Sequence, residues 1–517
     1  MCAGPTTSRG CSTISVRSFD DVKRSLNEEA DYIVVGSGAG GGTAAWTLSN
    51  AGHDVLIVEE GPPASRSMFS PQFFPAMNNL YREGGLEAFT GGRAVMSTLQ
   101  GRVVGGTTVV NAAIAWRMPE STYEQWAGDP AIRAAFPLEE LHRHWDILDK
   151  KMFVTPTDLE IAGRGNTLAA QACEAMGWKG KVINRFTHGC EGAGRCVQGC
   201  PNNAKMSTAL TLIPEAIDNG ARVLASCLVD KVTFDDWGRA LGVTGRMRDP
   251  IRRRRGPKVS LRARKGVVLA PGCIQLPGLL EASGVKHERL GMHFQAHPGS
   301  AIIPVFEDRV DYWSGATQGW ESDEFFKDGM KFEVVNVPVE VNAGRLPGVG
   351  SELAAAVREL PYAASWGVIV RMAAHGTVRS KPGHRARVAY TPTTADMERV
   401  QRGLYRLTKM AFAGGARKVF ISVHGLKPVL EPGEEELILE SSLDPRAYAM
   451  YASHLFGTAR AAGLHGAGVC DPDLRPWGTK NLWVVDSSVF PTNLGVNPQF
   501  SIQAVSMHAS EKIAEAG

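Results

Sequence analysis

The stretch Asp31–Gly61, DYIVVGSGAGGGTAAWTLSNAGHDVLIVEEG, decides the fold. Tyr32 to Val35 is a short apolar run that suits a buried strand. Gly36, Ser37, Gly38, Ala39, Gly40 and Gly41 follow at once. Ala44 to Ser49 reads as the first turns of a helix, and Val55 to Val58 as a second buried strand that runs into Glu59. Strand, glycine turn, helix, strand and acid is the order of a dinucleotide-binding βαβ unit. In that unit Gly36 makes the tight turn, Gly38 lets the backbone approach a pyrophosphate, and Gly41 lets the helix pack close on the strand. The helix N-terminus offers free N–H groups and a positive dipole end to the phosphates. Glu59 is placed to accept hydrogen bonds from ribose hydroxyls. The motif serves NAD and FAD alike.

With 517 residues the chain is long enough for two or more domains sharing a large core. Its 44% hydrophobic and 21% charged residues are those of an ordinary soluble globular protein. A net charge of +3 is too small to argue for nucleic acid or an anionic membrane as partner. No apolar run reaches the roughly 18 residues of a membrane-spanning helix. The first residues carry Arg9, Arg17, Asp20, Asp21, Lys23 and Arg24 without an apolar core, so no secretory leader is expected and the expected compartment is the cytoplasm. Nine cysteines in a chain this long do not make a disulfide scaffold.

Along the chain, Met1 to Glu29 reads as a polar arm with one helical stretch, and Gly61 to Gln100 as mostly irregular. Residues 101–119, GRVVGGTTVVNAAIAWRMP, hold a second glycine turn, with Gly105, Gly106, Thr107, Thr108 and Asn111 opening an apolar segment. Helices are expected over Leu138–Met152, Asn166–Gly177 and Thr208–Asn219, and short strands from Arg222 to Gly272. The run Arg252–Arg255 falls on one of the turns between them and reads as a solvated hairpin tip. Residues 301–446 alternate strand-like runs with Pro/Gly turns and read as a substrate domain. Near the end, NLWVVD (Asn481–Asp486) is a strand ending in an acid, and Val496-Asn497-Pro498 opens a helix to about Ala514. Asn497 is a good N-cap, and proline is favoured in the first helical turn. The start of that helix suits the negative edge of a reduced flavin. The expected fold is mixed α/β: a Rossmann-like nucleotide domain from 1–130, 208–300 and 447–517, and a discontinuous sheet-based substrate domain from 131–207 and 301–446.

Four segments carry a family resemblance: VVGSGAGGGTAA with Glu59; GRVVGGTTVVNAAI; LAPGCIQLPGLLEASG with His297-Pro298; and SHLFGTAR through NLWVVDSSVFPTNLGVNPQFSIQA. In that order they resemble the glucose–methanol–choline family of FAD-dependent oxidoreductases. The resemblance implies that Gly36, Gly38, Gly41, Glu59, Gly106, Asn111, Val229, Asp486 and Asn497 touch FAD, with Ala39 and Gly105 completing the two turns. It makes His454 the catalytic base and Asn497 its partner. Some relatives attach the flavin through a histidine at the position of Thr98, so non-covalent FAD is expected. The implied reaction is oxidation of a primary or secondary alcohol to an aldehyde or ketone. The hydride passes to flavin N5, and the flavin is reoxidised by oxygen, a quinone or an electron-acceptor protein. Two other classes compete: a lyase of the same fold that cleaves cyanohydrins, marked by loss of the base, and a redox-partner protein with no turnover.

The segment HGCEGAGRCVQGCPNNAK spaces Cys190, Cys196 and Cys200 as C-x5-C-x3-C-Pro among glycines. Three thiolates at such spacing suit a three-iron iron–sulfur cluster. With His188 as fourth ligand they suit zinc. Free thiols in a glycine-rich loop are the plainer reading, and a disulfide suits a reducing compartment least. A few bacterial sugar dehydrogenases of the resembled family hold a three-iron cluster at this spacing and pass flavin electrons through it to a cytochrome subunit. Other relatives have a similar loop without one.

Overall fold

The apolar run around Tyr32 forms the centre of an eight-stranded sheet. In the computed structural model, which describes residues 15–516, the strand Leu26–Val35 lies between Val55–Val58 and Arg255–Leu269, parallel to both. Outside Val55–Val58 come Arg222–Leu224 and then Val16–Arg17, also parallel. On the other side Ala240–Arg248 and Cys227–Phe234 add an antiparallel meander. Leu482–Val484 pairs parallel with the end of Arg255–Leu269. Tyr32, Ile33, Val34, Val55, Leu56, Ile57, Val267, Val268 and Leu269 are all buried, as strands covered on both faces must be. The helices Ala39–Asn50 and Gln499–Ala516 pack against each other over this sheet, and Ser506 Oγ donates to the Gly40 carbonyl at 2.7 Å.

A second sheet of seven strands is antiparallel throughout, in the order Val429–Leu430, Lys418–Ile421, Gly299–Val305, Trp366–Val370, Met330–Val334, Trp320–Ser322 and Lys181–Val182. One face is covered by the helix Thr394–Ala413, whose Met397, Val400, Leu404 and Leu407 pack with Met330, Phe332, Val334 and Val368. That helix starts at a capping box: Asp396 N–H donates to Thr393 Oγ1, and Thr393 N–H donates back to Asp396. Period-2 alternation sends Lys331 and Glu333 to the opposite face, toward the first domain.

Several expectations need correction. The part of the expected N-terminal arm that lies among the described residues is a sheet edge: Val16–Arg17 pairs with Arg222–Leu224, and the only helical piece there is the short 3-10 turn Phe19–Asp21. Residues 1–14 lie outside the described residues. The first helix begins at Ala39 rather than Ala44, because Gly40, Gly41 and Gly42 are needed inside it where it touches neighbouring backbone. The helix after the cysteine segment starts at Leu212; Thr208 stays outside it, its hydroxyl donating to the Ser37 carbonyl at 3.0 Å. The run VLASCLVDKVTF splits in two at Ser226, which has φ +56°. The helix Leu138–Lys151, assigned above to the substrate domain, packs in the core of the first domain: Trp145 is buried and its Nε1 donates to the Phe500 carbonyl at 3.2 Å. Conversely Tyr448, Met450 and Ala452 pack in the second core. The run Arg252–Arg255 sits at the expected turn, with Arg253 paired to Glu83 and Arg254 to Asp249.

Candidate active site

The two glycine turns meet face to face. Gly36 has φ +93°, and a Cβ there would stand 2.2 Å from the Ala270 carbonyl oxygen. A Cβ on Gly41 would stand 2.0 Å from the Gly36 oxygen. At Gly38 the reason for glycine is different. A Cβ there would have only the Gly106 Cα for a neighbour, at 4.0 Å, so the protein itself leaves that space open. Such a bare cradle, at the start of the helix Ala39–Asn50, fits a pyrophosphate. Ser37 locks the turns together: its hydroxyl donates to Glu59 Oε2 at 2.5 Å and accepts from Gly105 N–H at 2.9 Å. Glu59 also accepts from Ser37 N–H at 3.0 Å and from Gly61 N–H at 2.8 Å. Burial raises its pKa, while these hydrogen bonds oppose the rise. Its Oε1 keeps room for one further donor.

Asp486 accepts from Gly272 N–H at 2.7 Å and Ser488 N–H at 2.8 Å, tying the turn after Leu269 to the strand Leu482–Val484. Asn111 donates to Gln499 Oε1 at 2.6 Å, at the start of the last helix. Val229 lies in the strand Cys227–Phe234, which is anchored to the Glu59 segment where Cys227 N–H donates to the Glu59 carbonyl at 2.9 Å. Thr98 is buried with its hydroxyl unpartnered.

The expected catalytic pair is His454 and Asn497. Neither ring nitrogen of His454 has a hydrogen-bond partner among the described residues, and its side chain is half-buried against the site. Burial, and after it the Lys331 charge, pushes its pKa down to about 3, so the imidazole is neutral. His297, from the third matched segment, stands edge-on to it with ring centroids 5.7 Å apart. Its Nε2 accepts from Gly495 N–H at 2.8 Å, and burial holds its pKa well below the usual histidine range. His297 therefore fixes the turn that leads into Asn497, with that nitrogen already engaged.

Asn497 departs from expectation. The first helical hydrogen bond, from Ile502 N–H, goes to the Pro498 carbonyl at 2.9 Å, so Pro498 occupies the cap and Asn497 precedes it. The Asn497 side-chain oxygen instead accepts from Lys331 Nζ at 2.8 Å. Lys331, missed in the sequence, has a fully buried side chain and also pairs with Glu321 Oε2 at 3.1 Å and with Glu333 Oε1. Trp116 Nε1 donates to Glu321 at 2.8 Å, and Gln318 Nε2 to Glu333 at 2.8 Å. Burial by itself would lower the Lys331 pKa; Glu321 and Glu333 outweigh it and raise it. Breaking such a buried ion pair typically costs about 3–5 kcal/mol. Beside this cluster Tyr451 lies across two glycines: a Cβ on Gly299 would come 3.4 Å from its ring. Tyr451 keeps 37% of its surface open.

The cysteine segment sits behind Asn111. Among the described residues the three sulfurs do not gather within 4.8 Å of one another, and the His188 ring packs on Phe153 rather than beside them. Buried Arg185 bridges two of the thiols, its Nη2 3.0 Å from Cys196 Sγ and its Nη1 3.9 Å from Cys190 Sγ. Cys200 Sγ accepts from Ala204 N–H at 3.2 Å. Buried Lys205 donates to the Cys196 carbonyl at 2.6 Å and the Asn111 carbonyl at 2.8 Å. Neither Arg185 nor Lys205 pairs with a carboxylate among the described residues. Burial would raise the Cys196 pKa, but these two cations outweigh it and lower it. The donor set fits a guanidinium-paired thiolate, with Arg185 taking the place beside two sulfurs that an iron–sulfur cluster would have to share.

The GMC oxidoreductase family is matched twice, over residues 77–299 and 373–506, and a Rossmann-like NAD(P)-binding domain over residues 34–100. A GMC-type oxidoreductase of Mycobacterium tuberculosis, itself uncharacterized, is 34% identical over 93% of this chain and 75% of its own length. A long-chain-alcohol oxidase of Arabidopsis thaliana is 27% identical over 94% of this chain and 67% of its own. Among solved structures, an Aspergillus oryzae formate oxidase studied for modification of its FAD superposes with a TM-score of 0.71 at 16% identity, covering 95% of this chain and 99% of that one.

Proposed function

The chain belongs to the GMC oxidoreductase family, and from that membership we propose that it oxidises the CH–OH group of a primary or secondary alcohol with non-covalent FAD. One observation carries the proposal: a neutral imidazole, His454, has no hydrogen-bond partner among the described residues and lies in the field of Lys331, the same lysine that holds the Asn497 side chain. Gly36, Gly38, Ala39, Gly41, Glu59, Gly105, Gly106, Asn111, Val229, Asp486 and Asn497 would hold the cofactor, with the pyrophosphate over the open space at Gly38. When bound, FAD supplies the hydride acceptor. His454 takes the hydroxyl proton as general base. Asn497 hydrogen-bonds the substrate oxygen and holds the carbon in line. Thr98, in the place of the flavin-linking histidine, supports non-covalent binding. The Arabidopsis alcohol oxidase supports an alcohol as substrate and oxygen as the acceptor.

No iron–sulfur step enters this reading, because Arg185 already stands against the Cys196 sulfur and the nearby Lys205 charge adds to it. Nor does a cyanohydrin lyase fit it well, since the base is retained. The test is anaerobic addition of primary alcohols of increasing chain length to the holoenzyme. Loss of the oxidised flavin band with formation of aldehyde supports the proposal. Consumption of a cyanohydrin with the band unchanged would replace it with the lyase.

A further inference from the structure

Resting on the alcohol-oxidation reading, we propose that Lys331 is a positioning residue: it turns the Asn497 amide so that its NH2 faces the substrate oxygen, and it sets a fixed positive charge beside His454. An ammonium has three N–H donors and no acceptor. Lys331 spends them on Glu321, Glu333 and the Asn497 Oδ1. The Asn497 amide therefore has one orientation. Turned over, its NH2 would meet the ammonium donor to donor. In the orientation present, Nδ2 has no partner among the described residues and is left to donate elsewhere. The ammonium also pulls electron density toward the amide oxygen, which makes the NH2 a stronger donor as charge builds on the substrate oxygen.

The strand geometry holds this cation in place. Lys331 pairs in register with Ile369, and Glu333 with both Glu321 and Gly367, so lysine and acids project from adjacent rungs of one sheet face. Its indole neighbour Trp116 stands 4.9 Å from Nζ, ring centroid to nitrogen. The charged groups facing Lys331 are Glu321 and Glu333, with Lys181 beyond Glu321 at 3.9 Å. Those facing His454 are Lys331 and neutral His297. Removing the lysine charge takes away the cation that opposes protonation of His454.

The experiment uses FAD-loaded enzyme as Lys331→Met, Lys331→Arg and wild type. Lys331→Met is expected to slow anaerobic flavin reduction by an alcohol by about 30-fold or more, within the range for a misplaced catalytic group, with half-saturation changed less than about threefold; Lys331→Arg should recover part of the loss. In the same samples the His454 imidazole, followed by NMR of labelled histidine, is expected to take up its proton at a higher pH in Lys331→Met than in wild type, with burial keeping both below the usual histidine range. A reduction rate within about threefold of wild type, or an unchanged His454 titration, overturns the proposal. If no alcohol reduces the wild-type flavin, the alcohol reading fails, and the His454 titration alone decides the role of Lys331. Should the methionine variant not retain FAD, the charge-balanced pair Lys331→Met with Glu321→Gln takes the same measurements.

Discussion

A Cβ atom on Gly106 would stand 2.9 Å from the Cα of Gly38, so the two glycine turns of the chain touch through bare backbone. Positions within the first turn tolerate side chains unequally. Gly38 has φ −68° and open space before it, whereas Gly41 faces a backbone oxygen. Gly38→Ala is therefore expected to fold, and its FAD-free form to melt within about 2 °C of wild type, while FAD affinity falls at least tenfold. Gly41→Ala should give little soluble protein. Fluorescence titration of FAD against both purified variants checks this. A Gly38→Ala protein that binds FAD as wild type does would remove the pyrophosphate from that cradle.

His454→Ala should keep its FAD and lose on the order of 10²–10⁴ in turnover, the usual cost of removing a general base. Steady-state rates with the best alcohol decide it, and turnover within a few-fold of wild type would send the search for a base elsewhere.

The two histidines of the site fix the sign of a pH effect. The His454 pKa lies near 3 and that of His297 well below 6.5, so each binds a proton more readily in the unfolded chain. Their contribution to stability is complete above the unfolded value of about 6.5 and is lost as the pH falls below it. The melting temperature should drop steadily from about pH 7 to 5. Over the same range kcat/KM should show no acid limb at 6.5, because the base is already deprotonated; a limb there would mean that His454 titrates normally.

Arg185 and Lys205 give the cysteine segment a distinct chemistry. Cys196 should alkylate faster than Cys227 or Cys273, whose thiols burial pushes up to about 12. Protein purified without air should carry less than one iron per chain. Mass spectrometry after brief iodoacetamide treatment and iron analysis test the two statements, and about three irons per chain would restore the cluster.

What the sequence revealed follows from how local each feature is. The βαβ unit was legible because strand, turn, helix and Glu59 all lie within Asp31–Gly61 and each answers to its neighbours. The helix start was misjudged because Gly40, Gly41 and Gly42 are poor helix formers; they are required by contacts with Val485, Gly36 and Thr208, of which two lie far along the chain. His454 and Asn497 came through resemblance, and the capping role given to Asn497 was lost to a buried lysine 166 positions away. Lys331 and Glu333 were hidden by their pattern. Met-Lys-Phe-Glu-Val alternates as a strand with one wet face does, and only the tertiary fold turns the polar face inward onto the site.

The pairing of the helices Ala39–Asn50 and Gln499–Ala516 also bears on biosynthesis. The Ser506 hydroxyl and the Gly40 carbonyl are 466 residues apart. At 5–20 residues per second, a nascent chain displays its finished glycine turn for roughly 20 to 90 s before the partner helix is translated. Throughout that interval the apolar flank of the first helix has no permanent cover. Slower translation or added chaperone is then expected to raise the yield of folded protein in a heterologous host.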